Sequence, residues 1–211
     1  MMASPEPICR LYLEVRPQPS NGITAVFEQI AAHTDVACVL FHSSERGHDL
    51  TLAAEMLRRT HQRNLAFLIE NNAELALGLG ADGIQIAADA NAYTGARACL
   101  GDAAIIGADC GESRHAAMTL AEMGADYVAF GRSAGAAAIP REQRAELISW
   151  WSEIFQIPCV ALDVGDADEA RLLAKLGADF VVPSPELWLV DNAAGEILEI
   201  ASAISQARSA A

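Results

Sequence analysis

The apolar positions of this chain follow two alternating patterns: short runs with no polar face, and longer stretches with apolar residues at helical spacing. One phrase containing both patterns occurs three times, beginning at Leu77, Leu120 and Leu173. Each copy is a striped helix end, a Gly-Ala-Asp turn and a run of β-branched or aromatic residues. The glycine suits a helix C-terminal cap with positive φ, and the run is too short and too apolar for anything but a buried strand. Each copy therefore predicts an αβ unit.

The spacing of the copies predicts how many such units the chain holds. Their glycines, Gly80, Gly124 and Gly177, lie 44 and 53 residues apart. At roughly 25 residues per βα unit, each gap holds about two units, which extrapolates to about eight over the chain. The predicted strands are 9–15, 36–41, 65–69, 83–86, 103–108, 127–131, 157–162 and 180–182. The predicted helices are 23–33, 50–63, 72–79, 91–100, 113–123, 141–155, 166–176 and 196–207.

This alternation predicts the fold class. Strands that are buried on both faces belong to parallel sheets covered by helices, and eight βα units with right-handed crossovers close into a barrel. The length of 211 residues, with 52% apolar and 20% charged residues, suits one large core. We therefore predict an α/β protein in which residues 1–211 form a single-domain (β/α)8 TIM barrel.

Composition narrows the range of partners and the compartment. The net charge of −14 argues against nucleic acid or an anionic membrane as a partner, because both require a basic surface. The chain shows no apolar run of ~20 residues and no signal-type start, which predicts a cytoplasmic protein. Five cysteines without a CxxC pair predict reduced structural thiols. A small-molecule ligand is the expected partner, and a homodimer stays open.

Chemistry in this fold is expected where the C-terminal ends of the strands meet. The polar residues at or just after the C-terminal ends of the predicted strands are Glu14, Arg16, His42, Glu70, Asp89, Asp109, Arg132, Asp163 and Ser184. Four of the carboxylates come from separate loops and could bind Mg²⁺ or Ca²⁺, which prefer oxygen ligands. Alternatively, Asp89, Asp109 and Asp163 cap the helices that follow them, a position that aspartate favours.

Three further features leave alternatives open. His42 is either a base or ligand, or a hydrogen-bonded structural residue beside two serines. Arg132 either holds an anionic ligand bidentately or pairs with a neighbouring carboxylate. Trp150 and Trp151 face opposite ways on a helix, so one is expected in the core and the other at a surface or interface. The sequence contains no Ser-His-Asp constellation, no G-x-G-x-x-G, no P-loop and no zinc-ligand spacing.

Residues 67–86, F-L-I-E-N-N-A-E-L-A-L-G-L-G-A-D-G-I-Q-I, resemble the thiamine-phosphate synthase family. The family pattern there is close to L-I-I-N-D-R-x-D-L-A-x-x-x-G-A-D-G-V-H-L-G-Q-x-D. The resemblance continues with I-I-G at 105–107, G-A-D-Y-V-A-F-G at 124–131, I-P-C-V-A-L at 157–162 and L-Y-L at 11–13. The resemblance thus covers nearly the whole barrel. It extends to the thiazole tautomerases, which are a sister group of the family.

The resemblance implies a transferase of thiamine biosynthesis. The family joins hydroxymethylpyrimidine diphosphate to a thiazole phosphate, and Mg²⁺ assists the departure of pyrophosphate. The family's Q-x-R-x-K motif after strand two falls on Leu40, His42 and Ser44, so its two cations become a histidine and a serine. Its N-D-R motif falls on residues 70–72, where Glu70 takes the asparagine position and Asn71 the metal-binding aspartate position.

The remaining family positions also carry other residues here. The second metal-binding aspartate falls on Ala90, which leaves the neighbouring Asp89 as the metal-ligand candidate. The serine after strand five becomes Asp109, and the lysine-bearing loop after strand six becomes a loop without lysine. The thiazole-phosphate turn is replaced by Asp163, and the next phosphate turn includes Ser184. The histidine of the tautomerase branch is replaced by Arg132.

These substitutions predict a diverged family member. The expected protein lacks efficient synthase activity and binds a small ligand at the barrel mouth. Its predicted ligand-binding residues are His42, Glu70, Asn71, Asp109, Arg132, Asp163 and Ser184. One alternative is an active synthase with a rearranged metal site, in which Mg²⁺ uses Asp89 and Glu70. The other is a non-catalytic oligomeric interaction protein whose interface uses Trp150 or Trp151.

Overall fold

The computed structural model describes residues 9–17, 22–42, 49–131 and 139–207. Its centre is a closed barrel of parallel strands in chain order, with the last strand paired to the first. The strands are β1 (Arg10–Val15), β2 (Val36–Phe41), β3 (Ala66–Glu70), β4 (Gly83–Ala87), β5 (Ile105–Gly111), β6 (Tyr127–Phe130), β7 (Cys159–Val164) and β8 (Phe180–Pro183). The structure therefore confirms the predicted (β/α)8 TIM barrel.

One helix follows each strand. The helices are α1 (Ile23–His33), α2 (Asp49–Gln62), α3 (Ala73–Leu79), α4 (Ala90–Leu100), α5 (Arg114–Met123), α6 (Arg141–Ile154), α7 (Ala167–Lys175) and α8 (Ala193–Ala207). A short 3₁₀ helix, Pro185–Leu189, precedes α8 and was not predicted, since its proline and serine neighbours are typical of a loop. None of the described helices is long and apolar enough to cross a membrane.

Two strands extend two or three residues further than predicted, and this difference affects the site. β5 reaches Gly111 and β7 reaches Val164, so Asp109 and Asp163 belong to strands rather than to loops. Both strands change register near their C-terminal ends, where the pairing with the neighbouring strand is irregular. A bulge lets a strand continue through polar residues, which a search for apolar runs cannot detect.

The repeated Gly-Ala-Asp turn has the predicted geometry and an additional role. Gly80 and Gly124 cap α3 and α5 with φ of 71° and 99°. The aspartate of each copy then accepts a backbone hydrogen bond from the preceding strand. These bonds are Phe67 N to Asp82 (2.7 Å), Ile106 N to Asp126 (2.7 Å) and Cys159 N to Asp179 (2.8 Å). The repeat therefore both ends a helix and fastens neighbouring strands together.

The interior of the barrel contains a buried polar network below the mouth. The hydroxyls of Tyr12 and Tyr127 lie 2.9 Å apart, and Tyr127 donates to Gln85 Oε1 at 3.0 Å. Gly107 makes room for this arrangement, because a Cβ there would lie 1.9 Å from the Tyr127 ring. All five cysteines are unpaired, and burial raises the pKa of the Cys159 thiol to about 12. Thiol chemistry at this position is therefore unfavourable near neutral pH.

Candidate functional site

Four polar side chains form the top layer of the barrel interior. Along a strand, every second side chain faces the barrel interior. Each of the four lies two or four residues after a side chain that packs in the interior, so it also faces inward and reaches the mouth. These residues are Glu14, His42, Glu70 and Asp109. They come from the C-terminal ends of β1, β2, β3 and β5, which is the end where chemistry sits in this fold.

His42 lies between two carboxylates on neighbouring strands. Its Nε2 is 2.5 Å from Glu14 Oε1, and its Nδ1 is 2.5 Å from Glu70 Oε2. The Nε2 contact lacks hydrogen-bond alignment, so it is an ion pair at short range rather than a well-formed hydrogen bond. Arg16 Nε donates to the same Glu14 oxygen at 2.9 Å. We refer to Glu14, Arg16, His42 and Glu70 as the mouth cluster.

The mouth cluster changes the ionisation of its own members. Burial alone would lower the pKa of His42, but contacts with Glu14 and Glu70 raise it above its ordinary value. Burial alone would raise the pKa of Glu14, but His42 and Arg16 lower it overall. These shifts favour an imidazolium between two carboxylates. With Arg16 included, two cations then balance two anions, so the cluster has no net positive charge to offer a ligand.

These shifts predict how the mouth cluster contributes to stability as pH changes. The raised pKa of His42 gives a contribution that is complete below about 6.5 and is lost as pH rises through the folded-state value. The lowered pKa of Glu14 gives a contribution to stability that is complete above about pH 4.5 and is lost as pH falls through the folded-state pKa. The difference in unfolding free energy between the wild type and His42→Gln should therefore be largest between these limits, as measured by urea unfolding.

A matched control uses His33, an exposed histidine at the end of α1. His33→Gln leaves the mouth cluster intact and should retain the wild-type dependence of stability on pH. A His42→Gln profile that stays parallel to the wild type from pH 4 to pH 9 would contradict the assignment of the cluster.

Asp89 and Asn71 both make hydrogen bonds to the backbone. Asp89 Oδ1 accepts from Ala92 N at 2.7 Å, which confirms the helix-cap interpretation for this residue. Asn71 Oδ1 accepts from Ala87 N at 2.7 Å and so links the end of β3 to the end of β4. Both residues are exposed. Asn71 also has a positive φ of 49°, a conformation that asparagine adopts more readily than most residues.

The helix-cap interpretation is wrong for Asp109 and Asp163. α5 is capped by Ser113, whose hydroxyl accepts from Ala116 N at 3.2 Å. α7 is capped by Asp166, whose carboxylate accepts from Glu169 N at 2.9 Å. The strand extensions explain the error, because Asp109 and Asp163 lie inside β5 and β7, several residues before the caps of α5 and α7.

The remaining predicted residues are distributed around the same mouth. Asp109 is half-buried, and its carboxylate accepts from Gly111 N at 3.2 Å. Ser184 is buried after β8, and its hydroxyl donates to the Glu186 carboxylate. Asp163 is half-buried on β7 with a φ of 60°. Arg132, like Ser44 of the family's basic motif, lies outside the described residues.

The described residues do not provide a Mg²⁺ site of the kind that the resemblance implies. In the ranges that the structure describes, no three His, Cys, Asp or Glu side chains are grouped so that they could hold a metal ion. Asp89 uses one carboxylate oxygen for a helix cap, and the position of the family's other metal-binding aspartate holds the neutral Asn71. Asp89 as a metal ligand therefore stays a prediction.

Two carboxylates contribute more to the mouth than the predicted ligand set suggested. Glu14 was among the mouth residues but not among the predicted ligand-binding residues, and it makes the Nε2 contact of His42. The alternation of L-Y-L-E-V in β1 is the signal for Glu14, since it lies two residues beyond the interior Tyr12. Glu186 was missed because it follows β8 inside the unpredicted 3₁₀ helix.

Comparisons with known proteins agree with this architecture. The family model for thiamine monophosphate synthase matches residues 11–184. Thiamine-phosphate synthase of Rhodospirillum centenum is 36% identical over 187 residues, which span 85% of this chain and 89% of that protein. The corresponding protein of Hyphomonas neptunium is 34% identical over 200 residues, which span 88% of this chain and 89% of the relative.

A comparison of solved structures supports the fold independently. Thiamine phosphate pyrophosphorylase from Pyrococcus furiosus superposes with a TM-score of 0.77 at 19% identity, and the match covers 94% of this chain and 96% of that one. At this identity the likeness establishes the barrel fold alone. The family model and the sequence matches over most of the chain show that this protein belongs to the thiamine monophosphate synthase family.

Proposed function

We propose that this protein is a diverged member of its family that acts in thiamine metabolism, binds a small ligand at the barrel mouth and lacks efficient synthase activity. The proposed ligand-binding residues are His42, Glu70, Asn71, Asp109, Arg132, Asp163 and Ser184. The observation that carries the proposal is the position of His42 between Glu14 and Glu70. The residue at the family's diphosphate-binding arginine position thus has its charge neutralised by the protein itself.

Electrostatics make diphosphate binding unfavourable at such a site. Two unit charges ~4 Å apart interact by about 4 kcal/mol at an effective dielectric constant of 20. A diphosphate near His42 would meet the carboxylates of Glu14 and Glu70 at comparable range, and their repulsion would offset the attraction of the imidazolium. Arg16 already contacts Glu14, so it adds little free positive charge. An uncharged or cationic compound of the thiamine pathway avoids this repulsion.

A calorimetric panel tests the proposal directly. The panel contains the phosphorylated pyrimidine and thiazole compounds together with their unphosphorylated and cationic counterparts. We expect binding of an unphosphorylated or cationic compound, and Asp163→Ala should weaken that binding about tenfold, which corresponds to about 1.4 kcal/mol. Asp168→Ala is the matched control, since Asp168 lies on α7 with a side chain that is 93% exposed. Equal binding by wild type and Asp163→Ala would remove the assigned role of Asp163.

An active synthase is the second candidate, and its support is the identity of 36% to a relative named as thiamine-phosphate synthase. The two candidates differ in one measurement. Wild-type protein is mixed with Mg²⁺ or Mn²⁺ and the two phosphorylated substrates, and the release of pyrophosphate is followed over time. Efficient release would establish the synthase and overturn our proposal, whereas the diverged member should release none above background. A homodimer and a cytoplasmic location stay predictions.

A further inference from the structure

A buried ion pair lies directly behind the end of β7. Arg144 on α6 and Glu169 on α7 are only 3% and 5% exposed. Arg144 Nε donates to Glu169 Oε1 at 3.1 Å, and Nη2 contacts the same oxygen. Removing two charges from water is costly, and such a pair is not by itself evidence of added stability. Because stability alone does not explain the pair, we consider the neighbouring groups that it contacts.

The two charged side chains hold backbone groups on either side of Asp163. Arg144 Nη1 donates to the carbonyl oxygen of Leu162 at 2.9 Å. Glu169 Oε2 accepts from the amide of Gly165 at 3.1 Å. The pairing of β7 with β8 is irregular between Ala161 and Val164, so ladder bonds are interrupted here. Buried backbone groups need hydrogen-bond partners, and the ion pair supplies partners for groups that the bulge leaves without a strand neighbour.

The bulge also decides which way Asp163 faces. Leu162 packs in the barrel interior, whereas Ala161 and Val164 pack in the layer between the barrel and its helices. In a regular strand Asp163 would face outward like Ala161, because side chains alternate. Since Val164 again faces outward, the bulge leaves Asp163 on the interior side, next to Leu162. Its φ of 60° is uncommon for a residue other than glycine and needs support from its surroundings.

Gly131, directly after β6, leaves room for the same turn. A Cβ at Gly131 would lie 2.5 Å from the carbonyl oxygen of Leu162, the oxygen that Arg144 binds. Gly131 also has a φ of 143°, which disfavours any other residue. The end of β7 is thus held by α6 and α7, and Gly131 gives it the space that it needs.

We propose that Arg144 and Glu169 are positioning residues that hold the β7 bulge, so that Asp163 faces the mouth and takes part in ligand selection. The role in ligand selection rests on the proposed function, whereas the positioning of Asp163 does not. Neither residue needs to touch the ligand. Both act through the two backbone groups that flank Asp163.

The test replaces the ion pair by an apolar pair in the variant Arg144→Met/Glu169→Leu. Replacement of a buried ion pair by apolar residues of similar size is often neutral for stability, so the barrel should remain folded, as checked by circular dichroism. NMR chemical shifts of backbone nuclei then report the conformation of Asp163 in the absence of any ligand. We expect Asp163 to leave the left-handed region. A retained left-handed Asp163 would overturn the positioning role.

Arg144→Lys is the second variant and covers the case in which the apolar pair fails to fold. A lysine keeps the charge opposite Glu169 but lacks the planar fork that reaches Glu169 and the Leu162 carbonyl together. It should therefore release Asp163 while it keeps the barrel folded. An unchanged conformation of Asp163 in Arg144→Lys would also count against the proposal.

Ligand binding separates this inference from the proposed function. For a compound that Asp163→Ala weakens in the wild type, the apolar pair should weaken binding about tenfold. Asp163→Ala in that background should then add no further loss, because both changes remove the same contact. Additive losses would contradict the role in ligand selection. If Asp163→Ala affects no compound while the apolar pair releases Asp163, the ligand role that the proposed function gives Asp163 fails and the positioning role is supported.

Discussion

A variant that combines His42→Arg with Glu70→Asn is expected to bind pyrophosphate at least ~100-fold more tightly than the wild type. The substitutions restore the residues that the family resemblance places at these positions. They change the mouth cluster from two cations and two anions to three charged groups, Arg16 and the new arginine against Glu14. One charge pair at ~4 Å is worth about 4 kcal/mol at an effective dielectric constant of 20. A ~100-fold gain in affinity corresponds to about 2.7 kcal/mol, which is less than the energy of one such pair. Titration calorimetry at constant ionic strength measures the gain.

A control that makes the same two residue-type changes far from the mouth excludes a general electrostatic effect. His33→Arg with Glu122→Asn places the same two substitutions near the C-terminal ends of α1 and α5, at the opposite end of the barrel. We expect this control to bind pyrophosphate as weakly as the wild type does. Equal affinities in the mouth variant and the wild type would contradict the view that Glu70, by neutralising His42 and repelling phosphate, disfavours diphosphate at the mouth.

The fold could be predicted from the sequence because its signal is local and repeated. Each Gly-Ala-Asp copy contains a helix end and a strand start, and these features depend on neighbouring residues. The role of the aspartates could not be predicted in this way. Asp82, Asp126 and Asp179 accept from amides 15 to 20 residues earlier in the chain, so the bonds depend on strand pairing. Sequence periodicity indicates where strands lie but does not specify how neighbouring strands are aligned.

The sequence indicated which polar residues lie near the barrel mouth, but it did not indicate how they contact one another. Alternation within single strands indicates that Glu14, His42 and Glu70 share the interior face. Their contacts depend on the register of three strands and on burial, which the sequence does not supply. The bulges in β5 and β7 defeat local reasoning altogether. Regular alternation would direct Asp163 outward and Val164 inward, but Val164 packs outside the barrel, which supports our inference that Asp163 lies on the interior side.

The buried ion pair illustrates a further limit of sequence reasoning. Arg144 and Glu169 occur in the polar patterns of α6 and α7, where charged residues normally face water. Both side chains are nevertheless enclosed, because the backbone groups freed by the β7 bulge require partners. A charged residue becomes a candidate for such a role only when the backbone that it serves is known.

Trp151→Ala is expected to lower the free energy of unfolding by about 3–5 kcal/mol, a large share of the roughly 5–15 kcal/mol that stabilises a typical protein. Trp151 is fully buried, and its ring stacks on Phe155 with centroids 4.0 Å apart. Its indole nitrogen donates to the carbonyl of Ile157 at 2.7 Å, so the substitution removes packing and a hydrogen bond together. Urea unfolding followed by circular dichroism measures the loss without depending on tryptophan fluorescence.

The neighbouring Trp150 supplies the matched control and a test of the oligomeric alternative. It is half-buried, and the Arg114 guanidinium lies over its ring at 4.8 Å, so Trp150→Ala should cost about 1 kcal/mol. The enclosure of Trp151 confirms the expectation that one tryptophan of the pair lies in the core, and it leaves Trp150 as the candidate interface contact. If the protein is an oligomer assembled through this helix, light scattering should show Trp150→Ala shifting it to monomer. An oligomer that survives Trp150→Ala would contradict an interface that depends on this tryptophan.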